Sequence, residues 1–266
     1  VDYAIAGENK LDVTGATLGL DDTNTVDIAA NTTLQAKANQ LNKVAVTGDG
    51  TTTLSGLANS ISNISAVDTD TVELDTEGGN IAFNGTLSST VTYDVIGGGS
   101  LDLTGATINT TFELFDDTDL VLLATQVDND GSTVVTKDAG SDSNLTVEAL
   151  QGQQDADLSG VEVDTVFELN ADATFTGTLG AGIDNLTVDG SADTLTIDDS
   201  ATLPNGLAIN VASDPTVSLS GTLLGNLAGN VTVAGNGTLE VTGAVAVADL
   251  VSVLNLGGAE DRKSVV

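Results

Sequence analysis

The stretch YAIAGENKLDVTG, from Tyr3 to Gly15, joins two short segments of alternating apolar and polar residues through a turn at Gly7. We refer to this pattern as the first module. Its period of two predicts β-strands with one face turned inward, and the glycine indicates a positive φ or a close approach of another segment. Gap-free copies start at Tyr93 (YDVIGGGSLDLTG) and Val231 (VTVAGNGTLEVTG), and looser copies start at Val44 (VAVTGDGTTTLSG) and Leu186 (LTVDGSADTLTID).

A second pattern, the second module, reads Thr-Val-x-Glu-Leu, followed by an acidic turn and another short strand. Its copies start at Thr25 (TVDIAANTTLQA), Thr71 (TVELDTEGGNIAFNG), Thr110 (TTFELFDDTDLVL) and Thr165 (TVFELNADATFTG). First-module starts lie roughly 40 to 50 residues apart, except for one double gap between Tyr93 and Leu186, and this spacing indicates a repeat architecture.

The two modules predict an all-β fold, a repetitive parallel β-solenoid in which each coil buries its inner face only against the next coil. Roughly 20 to 24 residues per coil would give about a dozen coils, with two coils in each long repeat. Residues 1–266 then form a single repetitive β domain, with a candidate subdivision near residues 130–145. The alternative is two β-sandwich domains joined by the polar stretch Asp128–Asn144, because regularly spaced short strands also suit sandwiches. The constant length of the glycine-centred modules favours the solenoid.

The composition agrees with thin, repeated layers. Apolar residues are mostly Val, Leu, Ile and Ala, and aromatic residues make up only 3% of the chain. Six basic residues against 39 acidic ones give a formal net charge of −33, which repels phosphate backbones and anionic membrane surfaces. We therefore expect no nucleic-acid partner, and no membrane insertion, because no apolar run is long enough to span a bilayer. Bound divalent cations, a saline environment or plain solubility would account for the acidic excess.

The residue types also restrict catalysis. The chain has no His and no Cys, so Ser-His-Asp and Cys-His chemistry and the usual zinc and copper ligand sets are excluded. Carboxylate pairs for glycoside hydrolysis occur at Asp21–Asp22, Asp116–Asp117 and Asp198–Asp199, but each lies in a predicted turn and the chain has no Trp to bind a sugar. We predict that the protein is not an enzyme, with a β-helical polysaccharide-degrading enzyme as a remote alternative.

Calcium is the ligand that suits the acidic segments best, because it takes six to eight oxygen atoms from carboxylates, amides and carbonyls. The alternative is an acidic turn in which each Asp bonds to its own backbone. The candidate calcium ligands are Asp21, Asp22, Asn24 and Asp27 in the first segment, Asp116, Asp117 and Asp119 in the second, and Asp128, Asn129 and Asp130 in the third.

Sequons of the form Asn-x-Ser/Thr predict attached glycans if the source organism glycosylates its proteins. A chain this rich in Asn, Ser and Thr also produces several sequons by chance. The candidate acceptors are Asn31, Asn63, Asn84, Asn109, Asn144, Asn185, Asn230 and Asn236.

The first-module copies and the segment DTVFEL, which begins at Asp164, resemble bacterial and archaeal surface proteins built from β-strand repeats. Examples are S-layer proteins, haemagglutinin-like adhesins and large type-I-secreted proteins. The resemblance covers most of the chain and implies an extracellular or cell-surface protein. It does not imply ordered calcium rolls, because Gly97-Gly98-Gly99 departs from the nonapeptide G-G-x-G-x-D at the Asp.

The first module begins at Tyr3, which leaves no room for an N-terminal cap, although a terminal coil exposes a strand edge and an apolar layer. We expect another copy of the chain, or a neighbouring domain, to cover that coil. The leading hypothesis is a structural protein that polymerises head to tail into a filament or surface layer. The alternative is a segment of a calcium-stabilised adhesin that binds host or sugar ligands.

Overall fold

A computed structural model describes residues 2–7, 9–127, 133–212, 214–227, 231–233, 237–243 and 254–255. The chain divides into two compact units: unit 1 comprises Val1–Val121 and Ser132–Ser143, and unit 2 comprises Leu122–Gly131 and Asn144–Val266. In each unit the described strands form parallel sheets of stacked coils, which is the β-solenoid fold. The predicted solenoid is therefore confirmed, and the β-sandwich alternative is wrong because the sheets of a sandwich are antiparallel.

The strands of unit 1 form two parallel series. The strands are β1 (Asp2–Ile5), β2 (Lys10–Asp12), β3 (Thr25–Ile28), β4 (Thr33–Lys37), β5 (Ala45–Ser55), β6 (Val67–Asp75), β7 (Asn80–Ala82), β8 (Thr92–Ile96), β9 (Gly99–Asp102), β10 (Thr111–Leu114), β11 (Thr118–Leu123) and β12 (Val134–Lys137). One sheet runs in the order β1-β3-β5-β6-β8-β10-β12, and β4 pairs with β2 and β5. In a second series, β9 lies between β7 and β11. The last two residues of β11 belong to unit 2. A 3-10 helix spans Ala38–Leu41.

Unit 2 repeats the arrangement. The elements are α1 (Ala124–Val127), β13 (Asn144–Gln154), β14 (Asp157–Leu158), β15 (Asp164–Phe175), β16 (Thr178–Leu179), β17 (Asn185–Gly190), β18 (Thr194–Ile197), β19 (Ala208–Val211), β20 (Thr216–Ser220), α2 (Gly221–Asn226), β21 (Val231–Val233), β22 (Thr238–Thr242) and β23 (Leu254–Asn255). The main sheet runs in the order β13-β15-β17-β19-β21-β23. Beside it, β18 pairs with β15 and β20, β20 pairs with β22, and β14 pairs with β16. No helix in the described ranges is long and apolar enough to cross a membrane.

Coil length follows from the strand register. Partner residues lie between 18 positions apart, as for Leu34 and Thr52, and 23 positions apart, as for Tyr3 and Val26. One such step brings the chain back to the same side of the coil, so alternate side chains stack into continuous inner rows. One row of unit 1 passes through Leu34, Thr52, Val72, Tyr93, Phe112 and Val135.

The interior of the solenoid contains the residues that the modules predict to face inward. Leu101 and Leu103 are 0% exposed, and Leu239 and Val241 are each 4% exposed. Because a side chain of each strand packs between equivalent side chains of the coils before and after it, small aliphatic residues fill the core without large aromatic anchors.

The predicted turn at Gly48 is a bend inside one long strand. β5 continues past this glycine, and its register with β6 shifts between Gly48 and Thr51. Gly48 has a φ of 116°, a conformation that glycine adopts at low cost. The chain therefore turns the corner of the coil while both halves of the strand stay in the sheet.

Candidate functional site

The first acidic segment forms a turn whose side chains bond to one another. Asp21 Oδ1 accepts hydrogen bonds from Thr23 N at 2.9 Å, from Thr23 Oγ1 at 2.6 Å and from Asn24 Nδ2 at 3.0 Å. These bonds, with the Thr23 hydroxyl as the main cause, lower the pKa of Asp21. Asp22 is exposed in the turn and Asp27 is exposed on β3. The structure therefore supports the acidic-turn interpretation at Asp21.

The same Asp-x-Ser/Thr turn recurs along the chain. Asp12 Oδ1 accepts hydrogen bonds from Thr14 N and Oγ1, and Asp198 Oδ1 accepts them from Ser200 N and Oγ. The bonds lower the pKa of both carboxyl groups. Many acidic residues at the coil corners thus satisfy the backbone N–H groups of their own turns.

The second acidic segment connects neighbouring coils of unit 1. Asp116 and Asp117 have φ values of 55° and 56°, in the left-handed region that Asp tolerates better than most residues. Asp117 Oδ1 accepts a hydrogen bond from Asp142 N at 2.8 Å, and Asp117 N donates one to Ser141 Oγ at 3.2 Å. Asp119 lies on β11. These two hydrogen bonds join the turn at Asp117 to the neighbouring turn at Ser141 and Asp142.

Within the described ranges, no group of three or more acidic side chains is placed so that it could hold a metal ion. The third segment, Asp128, Asn129 and Asp130, lies outside the described residues. Calcium binding therefore stays a prediction for all three segments.

The candidate glycan acceptors differ in accessibility. Asn63 Oδ1 accepts a hydrogen bond from the hydroxyl of Ser65 at 2.7 Å, within its own sequon, and Asn185 Nδ2 donates one to Asp164 Oδ2 at 2.9 Å. Glycan attachment stays a prediction for every site. Asn31, Asn84 and Asn109 are exposed, Asn144 is half-buried on β13, and Asn230 and Asn236 lie outside the described residues.

A row of three carboxylates crosses the outer face of unit 1. Glu73 on β6 is in register with Asp94 on β8, and Asp94 is in register with Glu113 on β10. All three side chains are half-buried, and Thr53 Oγ1 donates a hydrogen bond to Glu73 Oε2 at 2.6 Å. Burial, and then the charges of Glu113 and Glu73, raise the pKa of Asp94 to about 6. The sequence shows each acid inside its module, but only the register brings them together.

We expect Asp94→Asn to raise the free energy of unfolding by about 1 kcal/mol at pH 7.5. Because the pKa of Asp94 is raised in the folded state, its ionised form costs stability above about pH 6. As the pH falls from about 6 to 4, the folded state takes up this proton before the unfolded state does, and the cost disappears. The side chain is only half-buried, so solvent screening keeps the effect small. Urea unfolding at pH 7.5 and pH 4 should show the gain only at the higher pH.

Asp184→Asn is the matched control, because it removes the same charge from an exposed side chain. We expect it to change the free energy of unfolding by less than about 0.5 kcal/mol at either pH. Equal stabilisation by the two variants would mean that relief of the overall negative charge, and not the carboxylate row, explains the result.

The first coil leaves part of its apolar inner face exposed. Tyr3 is 45% exposed and Leu11 is 42% exposed. Val44, Tyr93 and Leu186, which hold the position of Tyr3 in other first-module copies, are at most 1% exposed. Tyr3 is more exposed than its equivalents because no described strand lies beyond β1 in its sheet.

The exposed face is a groove bounded by unpaired strand edges. Among the described strands, β1 pairs only with β3, and β2 pairs only with β4. The groove has a volume of about 340 Å³ and is lined mainly by the apolar side chains of Ile5, Val13, Leu18 and Leu20 together with Tyr3 and Leu11. The first coil therefore presents both backbone hydrogen-bonding groups and apolar surface to solvent.

The chain matches no family model, and it has no match among curated proteins or solved structures. Its function is therefore inferred from the residues and contacts described above.

Proposed function

We propose that this protein is a structural protein of an extracellular or cell-surface assembly, in which copies join head to tail into a filament or layer. The observation that carries the proposal is the apolar surface of the first described coil, where Tyr3 on β1 and Leu11 on β2 are 45% and 42% exposed and neither strand has a second partner among the described strands. An exposed edge next to apolar side chains is a template for pairing with another chain.

The charge distribution supports association through coil ends. The formal net charge is −33, and acidic residues such as Glu73, Asp94 and Glu113 lie on an outer face of the coils. Like charges on the sides of two copies repel each other, whereas the groove of the first coil is lined mainly by apolar side chains. Stacking of coils is therefore favoured over side-by-side contact.

We expect the purified chain to form filaments or layers, visible by negative-stain electron microscopy, more readily at 0.15 M than at 0.01 M NaCl. Added salt shortens the Debye length from about 30 Å to about 8 Å and so weakens the repulsion between copies. Sedimentation at both salt concentrations, with and without calcium, measures the assembled fraction. Dispersed monomers under all of these conditions would contradict the proposal.

A further inference from the structure

The outer face of unit 1 places a carboxamide, a hydroxyl and a carboxylate side by side on three neighbouring strands. Gln35 on β4 is in register with Thr53 on β5, and Thr53 is in register with Glu73 on β6. Neighbouring strands of a sheet lie about 4.8 Å apart. Each of the three side chains therefore stands directly beside the next one.

The middle member of this row is a nearly enclosed hydroxyl. Thr53 is only 5% exposed, although it lies on the outer face between Thr52 and Leu54, which are 0% exposed in the interior. Its hydroxyl donates a hydrogen bond of 2.6 Å to Glu73 Oε2. A carboxylate that accepts the proton of a Ser or Thr hydroxyl can act as the general base that activates the oxygen as a nucleophile. Because Thr53 is nearly enclosed, a neighbouring side chain reaches this oxygen more readily than water does.

The neighbour of this hydroxyl on the side away from Glu73 is the Gln35 carboxamide, whose Cδ atom is an acyl carbon. In the part of the chain that the structure describes, the Gln35 side chain forms no hydrogen bond, whereas Gln40 Nε2 donates to the carbonyl oxygens of Val13 and Ala16. The Gln35 carboxamide is therefore free to turn toward Thr53. A sheet that holds two reacting groups side by side replaces their encounter in solution with a step inside one molecule.

We propose that Thr53 and Gln35 become joined by an ester bond, a covalent cross-link between two neighbouring coils of unit 1. Thr53 Oγ1 attacks Cδ of Gln35 while Glu73 takes up the hydroxyl proton. The bond from Cδ to Nε2 then breaks, Glu73 returns the proton to the departing nitrogen, and ammonia leaves. One C–O bond replaces one C–N bond, no oxidant or reductant takes part, and Glu73 ends ionised as it began.

The cross-link ties β4 to β5 in addition to the backbone hydrogen bonds between the coils. The chain has no Cys, so a disulfide cannot supply such a link. This inference is independent of the proposed self-assembly, because all three groups belong to one copy of the chain.

Intact mass spectrometry of the folded, full-length chain tests the proposal. During incubation near neutral pH the mass should fall by that of one ammonia molecule, and a protease digest should contain the Gln35 peptide joined to the Thr53 peptide. Hydroxylamine attacks esters, so it should separate these peptides and leave a hydroxamate at position 35. A folded chain that keeps its full mass would overturn the proposal, as would loss of ammonia only at an Asn–Gly pair such as Asn84–Gly85.

Substitutions of the two joined residues show whether they form the link. Thr53→Val removes the hydroxyl but keeps the β-branched shape that suits a strand, so the folded variant should keep its ammonia. Gln35→Met keeps a side chain of similar length without an acyl group, and it should also keep its full mass. Thr53→Ser retains a hydroxyl and should still form the cross-link. Loss of ammonia from Thr53→Val or Gln35→Met, at the same rate as from the unchanged chain, would overturn the proposal.

The role of Glu73 is tested by the rate of cross-linking. Glu73→Gln should slow the loss of ammonia about 100-fold or more, because a positioned general base typically contributes that much. Glu113→Gln is the matched control: it removes the same charge from the same outer row, two strands beyond Glu73, and it should leave the rate unchanged. Equal rates for the two variants would contradict the assignment of Glu73 as the base.

Discussion

Phe112→Ala is expected to lower the free energy of unfolding by about 3–5 kcal/mol. Phe112 is 0% exposed and lies in register between Tyr93 and Val135 in the inner row of unit 1. Its ring stacks on that of Tyr93, with centroids 6.1 Å apart and planes at 29°. Truncation leaves a cavity between two coils and removes this ring pair. Urea unfolding measures the loss, and hydrogen exchange should show it mainly in β8, β10 and β12, because each coil is stabilised by its nearest neighbours.

Two further variants separate the cavity from other effects. Phe112→Leu keeps most of the volume and should cost less than about 1.5 kcal/mol. Ile61→Ala removes a side chain that is 82% exposed and should change stability by less than about 0.5 kcal/mol. A loss of less than about 1 kcal/mol from Phe112→Ala would mean that the coils collapse around the missing ring and that the inner row is not tightly packed.

Tyr93 shows how packing in this row changes the chemistry of a side chain. Its hydroxyl accepts a hydrogen bond from Ser88 N at 2.8 Å, and burial raises the pKa of Tyr93 to about 12. The contrast with the 45% exposed Tyr3 follows from a single difference. A second-module coil covers the module that starts at Tyr93, whereas no described coil covers the module that starts at Tyr3.

The architecture could be predicted from the sequence because two strong local signals agree. The alternation in segments such as TVEL, from Thr71 to Leu74, specifies strands with one inward face. The near-constant distance between module copies specifies a chain that returns to the same face once per coil. Together they predict the parallel solenoid, the inward positions of Leu101 and Leu239, and a coil length close to that found.

The candidate site could not be predicted to the same depth, because it depends on register and coverage. Glu73, Asp94 and Glu113 occupy three different modules, and shifting one strand by one residue would turn its acid to the other face. Asp21 was a candidate calcium ligand, but the Thr two positions later supplies donors that satisfy its carboxylate within the turn. Composition alone does not distinguish such a turn from a cation site.

The largest effect expected from a small substitution is that of Gly48→Ala, which we compare with Gly7→Ala. The two glycines hold the same module position and have φ values of 116° and 131°. Alanine in this region costs about 1–3 kcal/mol in backbone strain at either site. At Gly48 the new Cβ atom would also overlap the Ile28 carbonyl oxygen and lie 2.8 Å from Ile28 N. These backbone atoms belong to β3 and cannot rotate away, so the coils must separate, at a further cost of about 1–3 kcal/mol.

Urea unfolding of the two dispersed variants therefore isolates the contact between coils from backbone strain. A larger loss for Gly48→Ala than for Gly7→Ala is the expected result, and equal losses would show that strain alone explains the glycine at this position.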